Sequence, residues 1–295
     1  MTRLISGFSL TLSGTLSFAS SVALSGALAF GLALVSVAFA PQAQAAPAPE
    51  PWAFWQASND ESDAVIDHSL WQSVLDAHLK PSDDGVNRFA YKDLAAAGST
   101  QLDDYLAQMA KLDPREYNLA EQQAFWINVY NALTVKEVLK YPSKKSILRM
   151  GAKFFAIGPW DDKVYKVAGE DLSLNDIEHR ILRPIYKDQR VHYAVNCASI
   201  GCPNLGGKVF TGAGLDAQLT AAEENYLSHE RGVTFTSTGR LKLSQIFEWY
   251  GSDFADDEEG VVAYIAEHHP TLGDKIKAYD GRVKYDYDWD LNAAN

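Results

Sequence analysis

The sequence predicts an α+β fold: a helix-rich single domain around a small, mainly antiparallel sheet. Two observations carry that expectation. Residues 121–140 hold one long helical pattern of apolar residues, and the second half breaks into short strand-like runs divided by Gly, Asp and Pro. Aromatic residues make up 12% of the chain, with seven Trp, which suits a packed core rather than a disordered polymer.

Taken in order, Ser69 to Leu79 has apolar residues near helical spacing, and Asp83-Asp84-Gly85 marks a turn. Phe89-Ala90-Tyr91 reads as extended, and Leu102–Leu112 as a helix stopped by Asp113-Pro114. The run Glu121 to Lys140 is apolar on most of its surface, so a buried helix is expected there, ended at Tyr141-Pro142. Asn128 and Asn131 lie three apart on one face of it, and buried amides must find partners. Lys163–Val167 with the turn after it reads as strand and turn, and Leu174–Leu182 as a short helix with Ser173 as N-cap. Arg183-Pro184 is expected to close that helix. Val191–Val195 reads as a strand, Leu215–Leu227 as a helix, and Val233–Phe235 with Leu241–Leu243 as paired strands. Helices follow over Ser244–Trp249 and Val261–His268, then an alternating run, Val283 to Trp289.

The first 45 residues read as a secretion signal. Arg3 is the only charge before Glu50, the apolar stretch Val22–Ala40 ends at Pro41, and Ala43-Gln44-Ala45 is a small-residue cleavage site. The alternative is membrane anchoring through an uncleaved signal, since the uncharged run is long enough to span a bilayer. Residues 46–60 read as a Pro/Ala-rich spacer and 61–295 as the folded domain. The expected address is extracytoplasmic, periplasmic or secreted. The chain has 26 basic and 38 acidic residues, net charge -12, and loss of Arg3 with the signal would make it one unit more negative. Such a surface repels phosphate backbones and anionic lipid, so neither nucleic acid nor a membrane beyond the export signal is an expected partner. A small molecule or peptide fits better. The partner itself is unknown from sequence, and no cofactor motif is found.

The stretch from Arg190 to Leu205 concentrates His192, Asn196, Cys197, Ser199, Cys202 and Asn204, including the only two cysteines. The runs AFWINVYNALTVKEVLKYP, DIEHRILRP, VHYAVNCASIGCPNL and YDWDLN resemble the domain-of-unknown-function 547 family, over about Leu102 to Leu291. The resemblance implies a domain of exported bacterial proteins, also found with other attachments in plants and animals, and it implies no established activity. Asp290 stands where the family's terminal motif more often has Ser.

Three readings of the cysteines stay open. Cys197 and Cys202 could bridge, as an oxidising compartment favours. Cys197 could be a nucleophilic thiolate served by a histidine base and an orienting amide. A metal site is the third, supported by no zinc spacing. On a regular strand His192 and Asn196 share one face and Cys197 the other, so His192 reaches Cys197 only if the strand ends or bulges first. His179, beside Glu178 on the preceding helix, is an independent candidate base. The arrangement is like that of transglutaminase-like and papain-like hydrolases at fold level, except that Asn128 stands where their helix would carry the nucleophile. Asn128, His192 and His179 each have a structural alternative as satisfied core groups. The alternating Asp286, Asp288 and Asp290 read as a solvated edge.

The sequence therefore leads to a thiol-dependent hydrolase or acyltransferase, with Cys197 as nucleophile, His179 or His192 as base, and Asn196 or Asn128 as orienting amide. The runner-up is a non-catalytic binding module whose Cys197–Cys202 disulfide shapes a recognition loop.

Overall fold

In the computed structural model, which describes residues 46–152 and 157–294, the chain enters as an extended segment that docks before any long helix forms. Residues 1–45, read from sequence as a secretion signal, lie outside the described residues. The stretch read as a spacer packs onto the domain. Glu50 N–H donates to the His179 carbonyl and Trp52 N–H to that of Arg180, both at 3.0 Å. A single 3-10 turn, Ala53–Trp55, then plants Trp55 edge-on against Trp126, 1% exposed. Aromatic burial, invisible to a composition count of Pro and Ala, overrides the spacer pattern.

Helix α1 (Ser69–His78) leads into the two-residue strands β1 (Leu79–Lys80) and β2 (Arg88–Phe89), which pair antiparallel across the turn at Gly85. Tyr91, read as extended, opens the short helix α2 (Tyr91–Ala96), and α3 (Thr100–Met109) follows. Helix α4 (Leu119–Leu139) is the centre of the molecule, buried on nearly every face as its sequence predicts. Asn118 caps it by accepting from Glu121 N–H at 3.0 Å.

Strands β3 (Tyr165–Val167) and β4 (Glu170–Leu172) form a hairpin where strand and turn are expected. The following helix differs from expectation. Ser173 does accept from Asp176 N–H, but the segment Asp176–Tyr186 is a π-helix that runs through Pro184 instead of stopping at it. In π geometry the N–H of residue 184 would bond the carbonyl of residue 179. Proline has no N–H. The His179 carbonyl is thereby left for Glu50, so the docked N-terminal segment completes the helix.

Val191–Val195 is not a strand. It is a single helical turn, α5 (Val191–Ala194). The Asp188 carboxylate accepts from Arg190 N–H at 3.0 Å and starts the turn, and the Ala194 carbonyl is taken by Asn131. Two side-chain bonds here defeat the strand propensity of Val and Tyr. Helix α6 (Leu215–Leu227) occupies the expected residues. Strands β5 (Val233–Phe235) and β6 (Leu241–Ser244) pair antiparallel, with Val233 opposite Leu243. Then come α7 (Ile246–Trp249), α8 (Gly251–Phe254), α9 (Glu258–His268) and α10 (Gly273–Lys277). Strand β7 (Lys284–Asp286) pairs with β6, parallel, and is shorter than the alternating run suggests. The fold is helix-rich α+β, with three small separate sheets among the described residues.

The core has two clusters. One surrounds α4; the other lies among α6, β5, β6, α7, α9 and α10. Val191, Ala194 and Ala198 belong to the first, and Tyr193 to the second. The cysteine loop therefore starts at the seam between the two cores. No described helix is long and apolar enough to cross a membrane.

If the segment at 46–60 is part of the folded body, Trp55→Ala should cost about 3–5 kcal/mol, as large aromatic truncations in cores do. Urea unfolding monitored by circular dichroism measures it. A loss under about 1 kcal/mol, in the range of surface changes, would return this stretch to the status of a spacer.

Candidate active site

The loop after α5 is built by amides. Asn131 on α4 donates from Nδ2 to the Ala194 carbonyl at 2.9 Å and accepts at Oδ1 from Asn196 N–H at 2.8 Å. Asn196 in turn donates to the Pro203 carbonyl at 2.7 Å and accepts from Ala198 N–H at 2.8 Å, closing the loop on itself. Asn128 donates to the Phe210 carbonyl at 2.7 Å and accepts from Phe210 N–H at 3.0 Å. These amides hold backbone. Ala198 adopts φ +61°, a left-handed conformation that costs a residue with a Cβ, and is fully buried.

The C-terminal stretch backs the loop from the other side. Ile200 and Gly201 N–H donate to the Asp290 and Asp288 carbonyls, each at 2.8 Å, and Asn292 N–H donates to the Ala198 carbonyl at 3.0 Å. A Cβ on Gly201 would lie 2.8 Å from Asp288 N, so only glycine lets the strands approach this closely. The Asp286, Asp288 and Asp290 residues are exposed while Tyr285, Tyr287 and Trp289 alternate inward.

This frame brings the two sulfurs together. Cys197 Sγ and Cys202 Sγ are 2.6 Å apart, and both cysteines are free thiols. The expected disulfide is thus absent from this structure, although the loop delivers its two ends to one point. Cys197 N–H donates to Cys202 Sγ at 2.9 Å. Ser199 Oγ and Tyr287 OH each lie 3.1 Å from Cys197 Sγ and 3.0 Å from each other. Cys197 is half-buried; Cys202 is buried. Their acidities diverge. Burial pushes the Cys197 thiol up, but bonds from Cys202, Ser199 and Tyr287 outweigh it and leave the thiol below its ordinary value. Burial pushes Cys202 well up, and the neighbouring Cys197 pushes it further.

Neither candidate base is among the hydrogen-bond partners of Cys197 Sγ. His192, on α5 rather than a strand, donates from Nε2 to Asp253 Oδ2 at 2.8 Å and stacks on Tyr250 with ring centroids 4.1 Å apart. His179 Nδ1 accepts from Arg183 Nη1 at 3.0 Å, which leaves its proton on Nε2 in the neutral ring. Burial holds His179 below the ordinary imidazole value, partly offset by Glu178. Arg183 grips Asp253 with two bonds, 2.6 and 2.9 Å, and donates to the Pro47 carbonyl at 2.6 Å.

Glu178 is a buried carboxylate beside His179 on the π-helix. It accepts from Tyr130 OH at 2.8 Å. Burial pushes its carboxyl up, but His179, His192, the nearby Tyr250 hydroxyl and the bond from Tyr130 outweigh that and keep it below its usual value. Burial pushes both phenols well up, and both also feel charge from Glu178 and Cys197. The two tyrosines therefore feel both the Glu178 carboxylate and the thiol. Sequence reasoning missed Asp253, Tyr250 and Tyr287. Tyr287 alone had a signal, as part of the alternating aromatic run; Asp253 and Tyr250 lie outside every run quoted for the family resemblance.

Among the described residues, no group of three or more His, Cys, Asp or Glu is arranged to hold a metal ion. A surface groove between α3, α4 and β3 carries Lys136, Lys140, Lys163 and Lys166, but each is paired, with Asp103, Glu137, Asp176 and Asp171 respectively.

Residues 114–227 match a family model described as "Protein of unknown function, DUF547". Over this stretch the chain is similar to the DUF547 family. It contains α4, the π-helix, α5, the whole cysteine loop and α6, so the DUF547 match covers the thiol site and leaves out Asp253 and Tyr287. Comparisons with curated proteins and with solved structures return no match.

Asp253 should report on the integrity of this cluster. Burial raises its carboxyl, but His192 and Arg183 outweigh burial and hold it well below the usual range. A depressed carboxylate contributes stability that is present above its unfolded pKa, near 3.9, and lost as pH falls toward the folded value. Asp253→Asn should therefore cost about 3–5 kcal/mol at pH 7, the cost of breaking a buried pair. The difference from wild type should shrink as pH drops below about 4. Urea melts across that range check it; a gap that widens on acidification would contradict the assignment.

Proposed function

We propose that the DUF547 segment forms a thiol centre that works by thiol–disulfide exchange, with Cys197 attacking and Cys202 resolving. The observation that carries this reading is the contact between two free thiols of opposite displacement: a half-buried, acidified Cys197 against a buried, less acidic Cys202. The thiolate is the reactive form, so the more acidic and accessible sulfur attacks first. Cys197 S⁻ displaces one thiolate from a disulfide R–S–S–R′, forming Cys197–S–S–R and releasing R′S⁻. Cys202, after losing its proton, attacks Cys197 Sγ and expels RS⁻. Two electrons pass to the substrate disulfide, and the protein is left with a Cys197–Cys202 bridge that an external dithiol must reduce.

The sequence expectation of a hydrolase or acyltransferase uses the same nucleophile but needs a base at the sulfur. The groups in contact are a thiol and two hydroxyls, which stabilise a thiolate and do not ferry its proton. Asn196 and Asn128 have both ends of their amides on backbone, which suits a scaffold better than an oxyanion or orienting role. The exported setting read from sequence supports exchange, since disulfides persist there. A small thiol or a cysteine-bearing peptide fits as partner.

The reduced protein should release two thiopyridone equivalents from 2,2′-dithiodipyridine. Cys202→Ser should release one and keep a mixed disulfide visible by mass spectrometry. Cys197→Ser should react far more slowly. Equal reactivity of wild type and Cys197→Ser would sink the exchange reading, and a bridge that resists dithiols would favour the binding module. The iodoacetamide rate should titrate below the ordinary thiol value of about 8.5. Tyr287→Phe removes one hydrogen bond and should raise that midpoint by about one unit or less.

A further inference from the structure

One charged group beside the thiol loop takes no part in the scheme above. Arg231 sits in the turn between α6 and β5, and its Nε, Nη1 and Nη2 are all shielded from solvent without a hydrogen-bond partner among the described residues. A guanidinium has five donors and keeps its proton, so an enclosed, unpaired one is poorly placed unless an anion forms next to it. Its position is fixed by its own backbone. Arg231 N–H donates to His229 Nδ1 at 3.1 Å, and His229 Nε2 donates to the Asp84 carbonyl at 2.7 Å. The next residue must be glycine, because a Cβ at Gly232 would stand 2.2 Å from the Tyr226 carbonyl oxygen.

The link to the cysteines runs through Tyr226. The guanidinium carbon lies 5.6 Å from the centroid of that ring. Tyr226 OH donates to the Gly201 carbonyl at 2.7 Å, one residue before Cys202. Tyr226 thus touches both the guanidinium, through its ring, and the backbone immediately before Cys202, through its hydroxyl. Desolvation weakens the Arg231 cation, while charge on Tyr226, Cys202, Tyr287 and Asp84 favours it.

We propose that Arg231 is the positioning residue for the resolving step, supplying the counter-charge for the Cys202 thiolate once Cys197 has been consumed. The inference rests on the exchange reading. In the reduced protein Cys197 is the more acidic of the two thiols, and charge on it opposes charge on Cys202, 2.6 Å away. Attack on R–S–S–R′ turns Cys197 Sγ into a neutral mixed disulfide, and the negative charge departs with R′S⁻. Arg231, on the far side of the Tyr226 contact, then acts on a protonated Cys202 with no competing thiolate. The Cys202 proton passes to water, the new thiolate attacks Cys197 Sγ, and the Sγ–S bond to R breaks with its electron pair leaving as RS⁻. The guanidinium works only in this second step, so its removal should separate the two.

Stopped-flow mixing of the reduced full chain with 2,2′-dithiodipyridine, a neutral disulfide, resolves both steps as successive releases of thiopyridone. In Arg231→Met the first phase should be unchanged, and the second slower by about tenfold or more near neutrality, catching up at higher pH as the Cys202 midpoint moves up by about a unit. Arg231→Lys, which keeps the charge, should restore the second phase. A second phase as fast in Arg231→Met as in wild type would overturn the assignment, and so would Arg231→Lys as slow as Arg231→Met. If Arg231→Met does not fold, Arg231→Lys carries the test against wild type, since loss of its second phase means that charge is not what matters. Absence of any first phase in wild type defeats the exchange reading itself, whereas a normal first phase with an unaltered second defeats Arg231 alone.

Discussion

Asn131 lies in the middle of a helix with almost no solvent face, so its amide must bond to protein at both ends. It does so to two backbone groups two residues apart, the Ala194 carbonyl and the Asn196 N–H. That pair of bonds ends α5 and starts the cysteine loop in one place. Asn196 repeats the device one level up, holding Ala198 and Pro203, so the loop inherits its shape from the core helix through two amides in series. Each such bond contributes about 1 kcal/mol when made, but leaving a buried group unpaired costs about 1–3 kcal/mol. The geometry of the sulfurs is therefore enforced from inside the molecule.

The buried ionic cluster and the thiol loop follow different electrostatic logic. Around Asp253, Arg183 supplies a full cation and His192 a ring N–H, so charge is answered by charge. Around Cys197 the partners are a thiol and two hydroxyls, neutral dipoles that stabilise an anion without cancelling it. The first arrangement holds structure; the second leaves a nucleophile available. Tyr130 and Tyr250 respond to charge in both.

Periodicity made the long elements legible. The apolar spacing within α1, α4 and α6 marks those helices in the sequence within a few residues. It failed where side chains, not propensity, set the backbone. Val191–Val195 has the composition of a strand and becomes a helical turn because Asp188 and Asn131 take its ends. Pro184 looks like a terminator and instead lies inside a π-helix, because the docked segment at Glu50 bonds the carbonyl it orphans. At the site, the cysteine segment stood out through residue types alone. Asp253 lies 61 residues from His192 and leaves no local trace, while Tyr287, 90 residues from Cys197, stands in a visible aromatic run that does not say what it will touch.

The carbonyl freed by Pro184 also ties down the chain that enters the domain. Its partner is Glu50, and Arg183 holds the carbonyl of Pro47, only two residues beyond the Ala43-Gln44-Ala45 site. Two residues of extended chain reach about 7 Å. A peptidase cleft must grip several residues on either side of the bond it cuts, so a folded domain would pull that bond out of reach. A protease acting at that bond would have to do so before residues 47–52 dock, so the timing with which the π-helix takes up this stretch decides how long the chain ahead of it stays accessible.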